Sequence, residues 1–441
     1  MPSFREVGTL WIGGRLSWME QLCLKSFVDA GQKITLFHYD DIPNVPAGVI
    51  CRDGREVLDT DDFIKYEKKN SYALFADLFR LHMVHRNPRM IWVDTDVYCQ
   101  RPLDYDDDYV FGYELPDSGR VNNAILGLPT SSPMLAAMLE FTSDRYSIAP
   151  FLSRDKQREY IAARENGEPV HVSQQPWGIW GPMMMTYFVR KFGLQERVQP
   201  LEAFYPVTFR ERIMFNRSHR KVEARITDQT TGLHVWASNK RELGNLSLGL
   251  PRPKSWWVQA LAKHGIKPAL APIMSRNRNI YDTALLDQIP PVTGAVIDVG
   301  GLAPALVVSL HARDGCGVDV IDVNADGKFG TQADKTAAYV AALESHGVAA
   351  DAIRVITNAT DIKTADVVLN LSNFGCEAKV KHLAPILDRA LRANSLLFLD
   401  IRRGSGAFPF LRNYGTCETL RSDDDGALQR VVMRARAPSD G

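Results

Sequence analysis

The stretch Arg89 to Cys99 reads RMIWVDTDVYC, an apolar segment running directly into two aspartates one residue apart, Asp94 and Asp96. Two carboxylates held that close on a stiff strand end repel each other unless a cation sits between them. Mg²⁺ or Mn²⁺, hard ions that seek oxygen, would relieve the repulsion and could grip a diphosphate at the same time. A simple strand-end turn has the same pattern. Upstream, Asp77 and Arg80 fall at i and i+3 of a helical pattern and so share a face. They read either as a surface ion pair or as a carboxylate and a guanidinium that grip sugar hydroxyls and phosphate.

Asp-x-Asp is common in this chain: Asp59–Asp61, two overlapping copies within Asp104–Asp108, and Asp423–Asp425. Those copies lie in polar stretches and read as solvated charge. The pair at 94 and 96 follows Met90–Val93, a buried-strand pattern, and carboxyl ends of strands are where α/β sheets hold ligands. The surrounding elements alternate. VGTLWIGG reads as a strand, SWMEQLCLKSFVDAG as an amphipathic helix, KITLFHY as a second strand, and Thr60 as a cap for a helix beginning DDFIKYE. SYALFADLFRLHMVHR is helical, with Phe75, Leu78, Phe79 and Met83 at helical spacing; YVFGYE and NNAILGLP are short strands. SPMLAAMLEFTSDRY and GPMMMTYFVRKFG are helices, and the polar LSRDKQREYIAARENGEP is surface helix or loop.

Two enzyme classes use an Asp-x-Asp here. DTDVY resembles the start of haloacid-dehalogenase-type phosphatases, in which the first aspartate is the nucleophile. That reading needs the motif on the first strand and a further acidic pair, whereas two strands precede it here and GYELPDSG is a poor pair. The motifs LWIGG, FADLFR, IWVDTDVY, NNAILG, Gly181–Pro182 and HVW, in that order across residues 10–236, resemble instead the DXD-containing glycosyltransferases of the GT-A fold. These are relatives of yeast mannosyltransferases and α-galactosyltransferases, with the glucosylating domains of clostridial toxins as more distant kin.

The resemblance implies a role for each matching residue. Trp11 would lie against the nucleotide base, with Gly13 and Gly14 allowing close approach. Asp77 and Arg80 would contact donor sugar and nucleotide; Asp94 would sit near ribose and metal, and Asp96 would ligate the metal directly. Asn122 or Asn123 would read sugar hydroxyls. His234 would be a third metal ligand and Trp236 part of a loop over the diphosphate, with Ser238 offering a hydroxyl to phosphate. It implies a UDP- or GDP-sugar donor, a glycan or glycolipid acceptor, retention of configuration, and work in bacterial surface-polysaccharide synthesis. Gln174, Gln175 and Trp177 lie between the motifs, where the acceptor is expected. A scaffold that binds sugar nucleotides without catalysis is the remaining alternative.

From about Leu246 to Pro291 the chain is punctuated by proline, with short helical pieces, and reads as a connecting segment. Then GAVIDVGG, GVDVIDV, AIRVIT, ADVVLNLS and SLLFLDIRRG form five strands separated in part by helical runs, a second doubly wound α/β domain. Expected domains are therefore 1–245, a linker 246–290, and 291–441. VIDVGGLAPA with Asp322 some twenty residues on resembles the opening of a class I methyltransferase. Asp298 and Gly300 would flank S-adenosylmethionine, Asp322 would bind its ribose and Asp361 would sit by its adenine. Leu302 and Pro304 stand where that pattern wants glycines, which weakens the cofactor expectation more than the fold. A bifunctional sugar-transfer and methyl-transfer enzyme is the corresponding alternative. DVNADG mimics a calcium loop but has Ala333 where a bidentate Glu belongs.

At 441 residues two domains are expected, and 45% hydrophobic with 24% charged residues is a globular composition. Lys plus Arg equals Asp plus Glu at 52 each, which gives no electrostatic reason to expect a nucleic-acid partner. Six scattered cysteines without a Cys-x-x-Cys pair read as free thiols in a reducing compartment. No signal-peptide pattern and no run of about 18 apolar residues occurs. The expectation is a cytoplasmic protein without a transmembrane segment, able to work peripherally at the inner membrane face on a glycolipid.

Overall fold

The computed structural model describes residues 5–246, 249–252, 254–273, 283–371, 373–376, 378–422 and 428–436. The Asp423–Asp425 copy of the aspartate pair lies outside them. The chain is α/β and divides into two compact units, residues 1–239 with 251–266 and residues 240–250 with 267–441.

In the first unit, strands β1 (Val7–Trp11), β2 (Ile34–His38), β3 (Ile50–Asp53), β4 (Ile91–Val93), β6 (Val110–Leu115) and β7 (Arg120–Gly127) form one sheet in the order β3-β2-β1-β4-β7-β6. The first four are parallel; β7 runs antiparallel to β4 and to β6. Helix α1 (Trp18–Asp29) makes the β1–β2 crossover, and its first turn is closed by the Glu20 carboxylate accepting from the Ser17 N–H at 3.0 Å. Helix α2 (Ala73–Arg86) precedes β4 and buries Leu74, Phe75, Phe79 and Met83. Each such side chain contributes roughly 1.5–3 kcal/mol of transfer energy. Helix α2 packs so closely that a Cβ on Gly8 of β1 would meet the Met83 sulfur at 2.5 Å.

Chain direction out of β1 goes one way to β2 and β3, while β4 sits on the other side. The carboxyl ends of β1 and β4 therefore flank a topological switch point, the place such sheets bind ligands. A separate antiparallel pair, β5 (Val97–Cys99) with β8 (Gly232–His234), sets Val97 opposite His234.

Two local expectations differ from the structure, and one open alternative is resolved. Residues 60–66 form no helix: Thr60 Oγ1 accepts from the Asp62 N–H at 3.0 Å, a local turn in which the hydroxyl competes with helix formation. Of the two readings for the polar stretch around 154–165, the helix holds: Arg154–Glu165, capped by Ser153. The proline-rich segment is not wholly a linker, because helix Trp256–Lys263 belongs to the first unit. Trp257 packs on Trp18 at 5.1 Å and donates to Asn216 Oδ1 at 2.8 Å, and Trp256 packs on Tyr98 at 5.1 Å. Burying two indoles outweighs the turn-forming prolines around them.

The second unit carries a sheet of β9 (Ala295–Val299), β10 (Gly317–Ile321), β11 (Ile353–Ile356), β12 (Val367–Asn370), β13 (Leu396–Arg402), β14 (Gly415–Ser422) and β15 (Leu428–Ala435). Its order is β11-β10-β9-β12-β13-β15-β14, with β9 to β13 parallel and β15 antiparallel to both neighbours. This is a doubly wound, Rossmann-like sheet with its switch point between β9 and β12. The five expected strands are present. Two more follow, β14 and β15, whose mixed polarity (TCETLRS, LQRVVMRA) hides the alternation of a strand.

Candidate functional site

The carboxyl end of β4 turns at once. Asp94 N–H donates to the Ala124 carbonyl of β7 at 2.8 Å, and Val97 N–H donates back to the Asp94 carbonyl at 3.0 Å. Asp94 Oδ1 accepts from the Trp92 indole N–H at 2.7 Å and pairs with Arg80 Nη2 at 3.2 Å. The same Nη2 pairs with Asp77 Oδ1 at 3.2 Å, while Arg80 Nη1 donates to the Asn123 carbonyl at 2.5 Å. Asn123 Nδ2 in turn donates to Asp77 Oδ1 at 3.0 Å. Asp77, Arg80 and Asn123 are all buried, so this is an internal network and not the surface ion pair.

The pairing of β5 with β8 supplies the rest. It sets His234 Nε2 3.2 Å from Asp96 Oδ1, and Asp96 Oδ2 accepts from the Ala237 N–H at 2.5 Å. Ligand atoms of Asp94, Asp96 and His234 all lie within 4.8 Å of one another. Two carboxylates and an imidazole are a donor set for a borderline-hard divalent ion, Mn²⁺ better than Mg²⁺ because of the nitrogen. The electrostatics fit a cation as well. Burial pushes the Asp94 carboxyl above its usual range, Arg80 pulls it back, and the Asp96 charge pushes it up again. Burial alone would lower His234, but the Asp96 charge and hydrogen bond raise it above its ordinary value. Burial also raises Asp77 to about 6 against the opposing charge of Arg80.

The other expected residues fall as follows. Trp11 ends β1, half-buried, and its indole N–H donates to the Gly14 carbonyl at 3.0 Å, closing the turn that holds Gly13 at φ +123°. Asn122 is buried, donating to Glu114 Oε2 at 3.1 Å. Trp236 is buried at φ +62°, its N–H bonded to the Val207 carbonyl at 2.8 Å and its ring 4.1 Å from that of His234. It braces the histidine. Ser238 stands exposed in the turn beyond it.

Two residues in this neighbourhood carry no motif in the sequence. Glu114 is buried, held by Asn122 and by Arg120 at 3.0 Å, and its charge acts on His234. Tyr205 is fully buried with its ring perpendicular to His234 at 5.6 Å. Burial first, then the charges of Asp94 and Glu114, hold its phenol well above the usual range, so it keeps its proton. Neither the Tyr205 hydroxyl nor His234 Nδ1 has a hydrogen-bond partner among the described residues. A strand of alternating residues signals Glu114 only weakly, and nothing local to Tyr205 signals its place.

In the second unit Asp298 ends up serving the chain itself. Its carboxylate accepts from the Leu302 N–H (3.3 Å), the Ala303 N–H (2.9 Å) and the Tyr339 hydroxyl (2.5 Å). Gly300 and Gly301 have φ of +79° and +60°, but the room they leave is taken up. A Cβ on Gly300 would lie 2.7 Å from Asn373 Nδ2, and one on Gly301 would lie 3.2 Å from the Tyr339 ring. Asp322 is buried and accepts from the Gln332 N–H at 3.0 Å, whereas Asp361 is exposed. Asp298 and Asp322 are thus engaged by the chain itself, and Tyr339 and Asn373 crowd the glycine turn. The DVNADG turn is likewise self-satisfied, with Asn324 Oδ1 accepting from the Asp326 and Lys328 N–H groups.

No family model and no curated protein matches the chain. Among solved structures, an O-methyltransferase family protein from Burkholderia thailandensis is 12% identical, with a TM-score of 0.27 over 35% of this chain and 55% of that one. The chain thus spans about half the length of that protein. The geranyl diphosphate C-methyltransferase of Streptomyces coelicolor A3(2) is 13% identical, with a TM-score of 0.26 over 35% of this chain and 77% of its own. The N-terminal domain of EvdMO1 is 12% identical, with a TM-score of 0.27 over 45% of this chain and 94% of its own. Among the described residues no helix is long and apolar enough to cross a membrane.

Proposed function

We propose that the first unit is a divalent-cation-dependent glycosyltransferase of GT-A type, moving a sugar from a UDP- or GDP-sugar onto a glycan or glycolipid acceptor. The observation that carries the reading is the convergence of Asp94, Asp96 and His234 at the switch point, with Arg80 bonded to the same Asp94. Asp94, Asp96 and His234 would hold the ion. A bound divalent cation supplies charge neutralisation to a departing nucleoside diphosphate. The chain's own contribution is preorganisation. Arg80, fixed by Asp77, Asn123 and Asp94, holds a positive charge at a switch point without needing to reorient. Trp92 orients Asp94, and Trp236 with Ala237 orients His234 and Asp96. Retention of configuration, and a place in bacterial surface-polysaccharide or glycolipid assembly at the cytoplasmic membrane face, complete the reading on the motif resemblance alone. The phosphatase alternative gives no use to His234 beside Asp96.

A second reading adds methyl transfer in the second unit. Its support is the doubly wound sheet with a left-handed glycine turn at the carboxyl end of β9. It stands second because Tyr339 and Asn373 fill that turn. Calorimetry with S-adenosylmethionine tests it: binding that strengthens in Tyr339→Ala supports it, and no heat in either protein removes it. The primary reading is tested by Mn²⁺-dependent binding and hydrolysis of UDP- and GDP-hexoses by the full chain. Phosphate release from simple esters, without any response to nucleotide sugars, would overturn it.

A further inference from the structure

Trp177 is 46% exposed, with Tyr66 against one side of its indole and Lys69 over the ring. Single exposed apolar residues are ordinary on protein surfaces, but most are free to move. This one sits on a locked turn. Gly178 N–H donates to the Tyr66 hydroxyl at 2.8 Å, and the N–H groups of Gly181 and Met183 donate to the Gly178 carbonyl at 3.0 and 3.1 Å. The turn ends against the candidate donor site: a Cβ on Gly181 would lie 2.8 Å from Asp77 Oδ2. Tyr66, almost fully buried, backs the indole with ring centroids 4.6 Å apart and planes 35° from parallel. Tyr66 also feels the charges of both Asp77 and Arg80, so the platform and the ion network are neighbours.

The rim of the platform is polar. The Lys69 ammonium lies 3.8 Å from the indole centroid. The Glu67 carboxylate accepts from Ser173 Oγ at 2.6 Å and Gln174 Nε2 at 3.3 Å, holding the exposed Gln174 beside Trp177. A pyranose ring matches this pattern. One of its faces is a set of polarised C–H bonds that sit on an aromatic π face, as the Lys69 cation does, and its edge carries hydroxyls that need donors and acceptors.

We propose that Trp177, backed by Tyr66 and flanked by Gln174, is the acceptor subsite, on which a pyranose ring of the acceptor glycan stacks in place of the Lys69 ammonium. The proposal rests on reading the first unit as a sugar transferase and names where its second substrate docks. Lys69 is an exposed side chain that moves from the indole face to the rim and donates to the sugar's hydroxyls.

The test uses the full chain as wild type, Trp177→Ala and Trp177→Phe. Saturation-transfer NMR is recorded with p-nitrophenyl α- and β-glucosides, galactosides and mannosides, and Mn²⁺-dependent binding of UDP and GDP is measured alongside. The expected result is transfer to sugar ring protons in the wild type, a loss of about tenfold in affinity in Trp177→Ala and a partial loss in Trp177→Phe. Nucleotide binding stays unchanged in all three. The proposal is overturned if no glycoside binds the wild type, if Trp177→Ala binds glycosides as well as wild type does, or if it loses UDP or GDP, which would make the indole a base-stacking surface. Absence of Mn²⁺-dependent nucleotide binding in the wild type, with glycoside binding still dependent on Trp177, would remove the transferase reading and leave the saccharide site standing.

Discussion

Arg80 spends every guanidinium nitrogen inside the protein: on Ala76 O, Asn123 O, and the two carboxylates of Asp77 and Asp94. A lysine could not replace that fork. Asp77 accordingly titrates high, at about 6 against an ordinary 3.8, because burial outweighs Arg80. The sign of its linkage follows. Its proton stabilises the fold fully below 3.8, and that stability is lost as pH rises through about 6. Between about pH 4 and pH 7, wild type should therefore lose roughly 2 kcal/mol relative to Asp77→Asn. Tryptophan-monitored denaturant unfolding reads this, since all 8 tryptophans lie in the first unit; parallel pH curves for the two proteins would refute it. Gly181→Ala tests the same contact from the other side. Its methyl would press on an Asp77 that Arg80 and Asn123 hold in place, so a cost of roughly 1–3 kcal/mol is expected in the same assay, and a neutral change would contradict the packing.

At the scale of elements, the candidate metal site depends on the β5–β8 pair, which brings His234 to Asp96. Strand β8 reaches Asp96 because Gly232 lets it lie against Ile125, whose Cδ1 would be 2.6 Å from an added Cβ. Gly232→Val should push β8 away and weaken Mn²⁺ binding by on the order of tenfold, as loss of outer support does for metal ligands generally. Titration calorimetry without nucleotide checks this; unaltered affinity would mean that β8 is held by other contacts. The sequence shows β4 and its aspartates plainly, because Met90–Val93 is apolar and the carboxylates follow it. It shows α2 by its spacing. The β5–β8 pair is harder to see: three residues apiece, joined across more than half the unit, they carry no periodicity that a local reading could detect. The sequence therefore reaches His234 only through its motif resemblance, Glu114 weakly and Tyr205 not at all. The last two strands, β14 and β15, are hidden for a related reason, since Arg and Glu interrupt their apolar pattern.

At the scale of the molecule, each unit has its own doubly wound sheet and its own switch point, and the two differ in what fills them. The first gathers carboxylates, an imidazole and a guanidinium; the second closes its glycine turn with Tyr339 and Asn373. Hydrogen exchange should reflect that difference. A UDP- or GDP-sugar with Mn²⁺ is expected to protect peptides covering β4–β5 and β8, and to leave β9 and its turn unchanged; protection confined to β9 would shift the chemistry to the second unit. The most direct measurement is thermal unfolding of the full chain, followed by tryptophan fluorescence, with UDP- and GDP-hexoses in the presence and absence of Mn²⁺. The account predicts stabilisation of about 2.7 kcal/mol at a hundredfold excess over Kd, present with Mn²⁺, absent with chelator, and abolished in Asp96→Asn. Equal stabilisation with and without the metal, or in Asp96→Asn, would contradict it.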